Sequence, residues 1–119
     1  MSTRCHIAVY PFEDSNDNDF TALLYRHCDG YPESQHGVLA VLVPFVKKFV
    51  AGRGYDDEYL AARLLQEMTN KTDVDGDNFL GYGICREFHG DTDFIYRVYP
   101  DRIVVEGYDD KQVINYRED

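Results

Sequence analysis

The sequence predicts an α+β fold: a mainly antiparallel sheet laid down in the order ββααββββ, with two helices packed on one face. Three observations predict it. Two short, strand-like runs open the chain. Two longer stretches with helical character occupy its middle. The C-terminal third breaks into four short runs, each closed by turn residues.

The first strand is His6-Ile7-Ala8-Val9-Tyr10, ended by Pro11. Residues 13–19 (Glu-Asp-Ser-Asn-Asp-Asn-Asp) form a polar loop, because Asn and Asp bond their own backbone. Phe20 to His27 is the second strand. Its alternation sets Phe20, Ala22, Leu24 and Arg26 on one side and Leu23, Tyr25 and His27 on the other. Asp29-Gly30-Tyr31-Pro32 turns the chain into a helix, with Ser34 as the expected N-cap.

Val38 to Val50 is apolar and long enough for a buried helix. Pro44 removes one backbone donor, so it should kink this helix or split it. Gly52-Arg53-Gly54 ends it. Asp56-Asp57-Glu58 opens a second helix, whose Tyr59, Leu60, Arg63, Leu64, Glu67 and Met68 recur at helical spacing, with Lys71 near its end. The loop Asp73 to Asn78 is rich in aspartate. Counted from Asp73, however, an EF-hand would need Gly at 78 and Glu at 84, where the chain has Asn78 and Ile84. The remainder reads as a meander: Leu80–Phe88, Phe94–Tyr99, Ile103–Tyr108 and the short edge strand Gln112–Tyr116.

The whole of residues 1–119 is expected to be one domain, since no linker or repeat divides it. An apolar fraction of 44% supports a packed core. No apolar run has membrane-span length, and Met1 to His6 lacks signal-peptide character, so a cytoplasmic protein is expected. Cys5, Cys28 and Cys85 are odd in number, widely spaced and free of any Cys-x-x-Cys pair. Reduced, buried thiols are therefore expected rather than disulfides or a zinc site.

The net charge of −10 comes from 22 acids against 12 bases. A field of that sign repels phosphate backbones and anionic lipid, which disfavours direct nucleic-acid and membrane binding and suits a basic protein partner. Ten tyrosines and no tryptophan leave two roles open, an interface or a half-exposed sheet face.

The candidate chemistry lies in two His-x-Asp turns, His27-Cys28-Asp29 and His89-Gly90-Asp91. A histidine and an aspartate at this spacing can share a proton, grip a metal or tie down a turn. Arg26, Arg86 and Arg97 lie in or beside strands, with Arg86 and Arg97 expected on neighbouring strands that flank His89. Arg26, His27, Asp29, Tyr31, Arg86, His89, Asp91 and Arg97 are therefore the candidate ligand-binding set, suited to a small anion or a nucleotide. No Gly-rich phosphate loop accompanies them, no cofactor is implied, and enzymatic activity is not expected.

Ser2-Thr3-Arg4-Cys5-His6-Ile7, Tyr25-Arg26-His27-Cys28-Asp29-Gly30-Tyr31-Pro32-Glu33 and His89-Gly90-Asp91-Thr92-Asp93-Phe94 together resemble a family of small, functionally uncharacterised proteins of bacteriophages, prophages and other mobile elements. Members open with a Thr-Arg strand, carry a Tyr-x-His-x-Asp-Gly-Tyr-Pro turn and have a late His-Gly-Asp before an aromatic strand. The resemblance implies a viral or mobile-element accessory role; together with the charge of −10 and the lack of a strong catalytic motif, it leads to the expectation of a protein that binds a host component, such as an acidic inhibitor of a host defence system. It also implies that the two His-x-Asp turns belong to one site or one structural knot. The alternatives are a small-anion or nucleotide-signal binder, and a metal-dependent hydrolase built on His27, Asp29, His89 and Asp91. Self-association is left open.

Overall fold

The structure, a computed structural model, describes residues 3–27, 29–33, 37–72 and 81–117. Its elements run β1 (Cys5–Val9), β2 (Ala22–Arg26), α1 (Val38–Arg53), α2 (Asp57–Thr72), β3 (Tyr82–Ile84), β4 (Phe94–Val98), β5 (Ile103–Glu106) and β6 (Lys111–Ile114). This is the expected α+β architecture. The six strands form one sheet in the order β3-β2-β1-β4-β5-β6.

The C-terminal third is not a simple meander. β3 pairs with β2, and β4 pairs with β1, so the β1–β2 hairpin sits between β3 and β4. The β1–β4 pairing is parallel, with Cys5 opposite Phe94 and Val9 opposite Val98. β3 also runs parallel to β1, since both are antiparallel to β2. The chain must therefore cross two strands between Ile84 and Phe94. It uses residues 85–93, an irregular segment shorter than the usual helical crossover. This is why the strand expected to reach Phe88 stops at Ile84.

Strand alternation sorts the side chains onto two faces. Cys5, Ile7 and Val9 of β1 join Leu24, Tyr96, Val98, Ile103 and Val105 beneath the helices. The helices add stripes at fourfold spacing: Val38, Leu42 and Val46 from α1, and Leu60, Leu64 and Met68 from α2. Each such fully buried side chain contributes on the order of 1.5–3 kcal/mol of apolar burial. The opposite face carries Ala8, Tyr10, Leu23, Tyr99 and Val104, covered by Phe20 and by Cys85 and Phe88 of the crossover.

Helix α1 runs unbroken through Pro44, so the proline does not split it. Pro44 and Ala40 are both exposed, so the Ala40 carbonyl that loses its i+4 donor lies on the solvent side of the helix. Ser34 lies outside the described residues, and the N-cap is Gly37, which has no side-chain cap. Backbone carbonyls do the work instead: Val38 N–H donates to Tyr31 O and Leu39 N–H to Pro32 O. The C-terminal cap is Gly54, at φ 78°, whose N–H donates to Val50 O. Asp56 caps α2 by accepting the Tyr59 N–H. The Asp73–Asn78 loop lies outside the described residues.

The C-terminal tyrosines are mostly core residues. Tyr96, Tyr99 and Tyr116 are buried, and the hydroxyls of Tyr96 and Tyr116 donate to the carbonyls of Gly30 and Tyr99 at 2.6 Å each. Of the five tyrosines at 82, 96, 99, 108 and 116, only Tyr108 stands well exposed.

Candidate functional site

The three segments singled out in the sequence meet at one end of the sheet, around the start of β1. Gly30 N–H donates to Thr3 O at 2.9 Å, and Asp93 N–H donates to Arg4 O at 2.8 Å. The Asp93 carboxylate accepts the Arg4 backbone N–H, and the Asp91 carboxylate accepts Arg4 Nη1 at 2.7 Å. A Cβ on Gly30 would lie 2.8 Å from Thr3 O and 2.9 Å from the Cys5 Cβ, so only glycine lets the turn approach so closely. Asp29 before it takes φ 57°, a left-handed conformation that aspartate tolerates. The Arg4–Asp91 ion pair is solvent-exposed and contributes little, so the backbone bonds hold this junction.

Above the junction, on the face away from the helices, five rings form a cluster. His6 lies 5.7 Å from Tyr25, 5.3 Å from Phe88 and 5.0 Å from His89, ring centre to ring centre. Tyr25 also contacts His89 at 5.2 Å and His27 at 6.1 Å. The Tyr25 hydroxyl and His27 Nδ1 are hydrogen-bonded at 2.9 Å. The topology explains the grouping. His6 and Tyr25 are direct cross-strand partners in β1 and β2, His27 follows Tyr25 on the same face, and the crossover lays Phe88 and His89 over them.

The eight candidate ligand residues divide. His27 and His89 share Tyr25 as a common neighbour, and Asp91 adjoins them through Arg4 and its field at His6. Asp29 and Tyr31 belong to the neighbouring turn, where Asp29 takes the left-handed conformation and Tyr31 O accepts the first N–H of α1. Arg26 and Arg97 face opposite sides of the sheet, because Arg26 pairs with Cys5 and Arg97 with Ala8. Arg86 is exposed beyond the end of β3, two strands from β4. Arg97 and Arg86 are thus not on neighbouring strands.

Arg97 is instead consumed by structure. Its Nε and Nη2 donate to Glu106 at 3.1 and 3.3 Å, and its Nη1 donates to the Tyr10 hydroxyl at 2.5 Å. It also lies over the Phe88 ring, 5.0 Å from its centre. Among the described residues no three His, Cys, Asp or Glu side chains are arranged to hold a metal ion. Cys85 Sγ lies 3.5 Å from His89 Nε2, a spacing seen in thiol–imidazole pairs. Burial raises the pKa of the Cys85 thiol, and likewise that of the Tyr25 hydroxyl, so both stay protonated and weakly nucleophilic at neutral pH.

His6, absent from the candidate set, is the central residue. It is fully buried, its Nδ1 lies 3.1 Å from Leu24 O, and its Nε2 accepts the His89 backbone N–H at 2.8 Å. The signal for it was the alternation itself, which sets His6 beside Ala8 and opposite Ile7.

The other end of the sheet is acidic. The β1–β2 loop presents Glu13, Asp14, Asp17 and Asp19, all exposed, and α2 begins nearby with Asp56, Asp57 and Glu58. The Thr21 hydroxyl donates to Asp57, which joins the two groups. The loop is pinned: the Tyr10 hydroxyl donates to Asp17 O at 2.8 Å, and Arg102 Nη1 donates to Glu13 O at 3.3 Å. Phe12 stands near its start, 67% exposed.

The chain matches no protein-family model, no curated protein and no solved structure. Among the described residues no helix is long and apolar enough to cross a membrane.

Proposed function

We propose that this protein is an accessory protein of a phage or mobile element that binds a basic host protein through its acidic end. It acts inside the host cell as an inhibitor, by occupying a basic surface. The observation that carries this reading is Phe12, exposed on a pinned loop that carries four acids and whose far end, Thr21, joins the acidic start of α2. An aromatic anchor surrounded by one sign of charge suits a complementary partner: the ring supplies contact area, while the charges steer approach and select the partner. Preorganisation adds to it, since a loop already fastened to the sheet loses less freedom on binding. The resemblance to small phage proteins supports the same reading, as does the net charge of −10.

The test is capture of host proteins by wild type and by the variant Phe12→Ala/Asp14→Lys/Asp19→Lys; among the described residues the three native side chains make no hydrogen bond, ion pair or ring contact. A basic protein retained by wild type, released by salt and lost by the variant supports the proposal. A partner that binds the variant equally well, or that salt does not release, overturns it.

A further inference from the structure

His6 is fully buried, and its two ring nitrogens have opposite, fixed duties. Nδ1 faces the Leu24 carbonyl at 3.1 Å, and a carbonyl only accepts, so Nδ1 carries the proton. Nε2 faces the His89 backbone N–H at 2.8 Å, and an amide N–H only donates, so Nε2 must offer its lone pair. The geometry fixes one neutral tautomer. A second proton would set N–H against N–H and break the bond to His89.

That bond is placed where it matters. The crossover, residues 85–93, is anchored at its start by Cys85 N–H donating to Leu23 O, and at its end by Asp91 and Asp93 on Arg4. Among the described residues, the His89 amide is the one hydrogen bond that ties the middle of the segment to the sheet. We infer that His6 is an acid-operated latch: protonation at Nε2 releases the middle of the crossover, and with it Phe88, from the open face while the sheet itself stays folded.

The surroundings of His6 set its response. From β2 the Tyr25 ring faces it, with His27 hydrogen-bonded to the Tyr25 hydroxyl. From the crossover come the rings of Phe88 and His89 and the field of the Asp91 carboxylate, itself paired with Arg4. Its β4 partner is apolar, Ile95. Burial is the strongest influence and disfavours the cation; the Leu24 carbonyl and Asp91 oppose it, and His89 adds to it. The latch is therefore closed at neutral pH and opens on acidification. Opening takes Phe88 away from Phe20 and from the Arg97 guanidinium, and uncovers Ala8, Leu23 and Tyr10.

The test is amide hydrogen exchange, corrected for intrinsic rates, from about pH 7 to about pH 5. The His89 amide should lose about tenfold or more of its protection, while Tyr96 and Val98 in β4 keep theirs. In His6→Gln, whose side chain can donate and accept but does not titrate, the fall should vanish. Nitrogen NMR of the wild-type imidazole supplies a check that needs no variant: His6 should be the Nδ1–H tautomer at neutral pH and should gain its second proton over the range in which the His89 amide opens. The proposal is overturned if β4 loses protection together with His89, if His6 takes up no proton while the segment opens, or if the segment stays protected throughout.

Discussion

The Arg97 guanidinium grips the Glu106 carboxylate through two hydrogen bonds, of 3.1 and 3.3 Å, diagonally across β4 and β5. Arg97 is buried while Glu106 retains 32% side-chain exposure, so the pair lies between the buried and surface extremes. Breaking a fully buried pair costs about 3–5 kcal/mol, so Glu106→Gln should cost about 2 kcal/mol in urea unfolding. Replacing both partners by Arg97→Met/Glu106→Leu should cost less than the single change, because no charge is then left buried. A larger loss in the double variant would contradict this.

Gly30→Ala should destabilise by about 1–3 kcal/mol, the usual cost of overpacking. The added methyl would meet Thr3 O and the Cys5 Cβ, of which the first is backbone and cannot rotate away. Gly52→Ala, in open space near the end of α1, is the control and should be neutral or stabilising. Equal effects of the two in thermal unfolding would refute the packing argument.

Tyr55→Phe should lose about 1 kcal/mol. The Tyr55 hydroxyl donates to Tyr10 O at 2.6 Å and to Val98 O at 3.2 Å, tying the interhelical turn to the end of the sheet. Unfolding of the variant in denaturant, with an unchanged m-value, is the measurement.

Cys5 should be inert in the native state, since burial pushes its thiol up to about 12. Thiol titration of native protein at about pH 8 should give the same count for wild type and Cys5→Ala, whereas denatured protein should differ by one thiol. The pKa is raised on folding, so the associated stability is complete below the unfolded value of 9.0 and declines as pH rises toward 12. Reaction of Cys5 in the folded protein would count against the burial of β1.

His6 works in the opposite sense. Folding lowers its pKa from 6.5, so the native state binds fewer protons than the unfolded chain. Stability from His6 is present above pH 6.5 and declines as pH falls through the folded value. Global unfolding free energies of wild type and His6→Gln should converge on acidification, and parallel pH profiles would show that His6 contributes no such linkage.

The sequence made the elements legible because each carries a local signal. The 2-residue alternation of Phe20–His27 correctly parted Arg26 from Tyr25, and the acids at the start of α2 marked its first turn. Pairing order is not local. Nothing near Ile84 or Phe94 states that β1 and β2 stand between them, so Arg86 and Arg97 were expected as neighbours. The two His-x-Asp turns stand out in the sequence, yet His6, which accepts the His89 amide of the second, has no acidic neighbour in sequence to advertise it. Its role comes from a bond 83 residues away.

The parallel pairing of β1 with β4 also sets a schedule. When Cys5 is added to the growing chain, its eventual neighbour Phe94 is still 89 residues from synthesis. At about 5–20 residues per second that interval is roughly 5–20 s. Once Arg26 has been made, the nascent hairpin of β1 and β2 carries, for the rest of that interval, an unfilled β1 edge on what will become the middle of the sheet. That edge consists of the backbone groups of His6, Ala8 and Tyr10, which face β4: the Tyr10 N–H donates to Val98 O in the finished sheet, whereas Val9 O on the other side already accepts the Thr21 N–H. The newborn chain thus spends its most adhesive moments before the strand that seals it exists, and its yield in the cell should depend on how quickly the last third is translated.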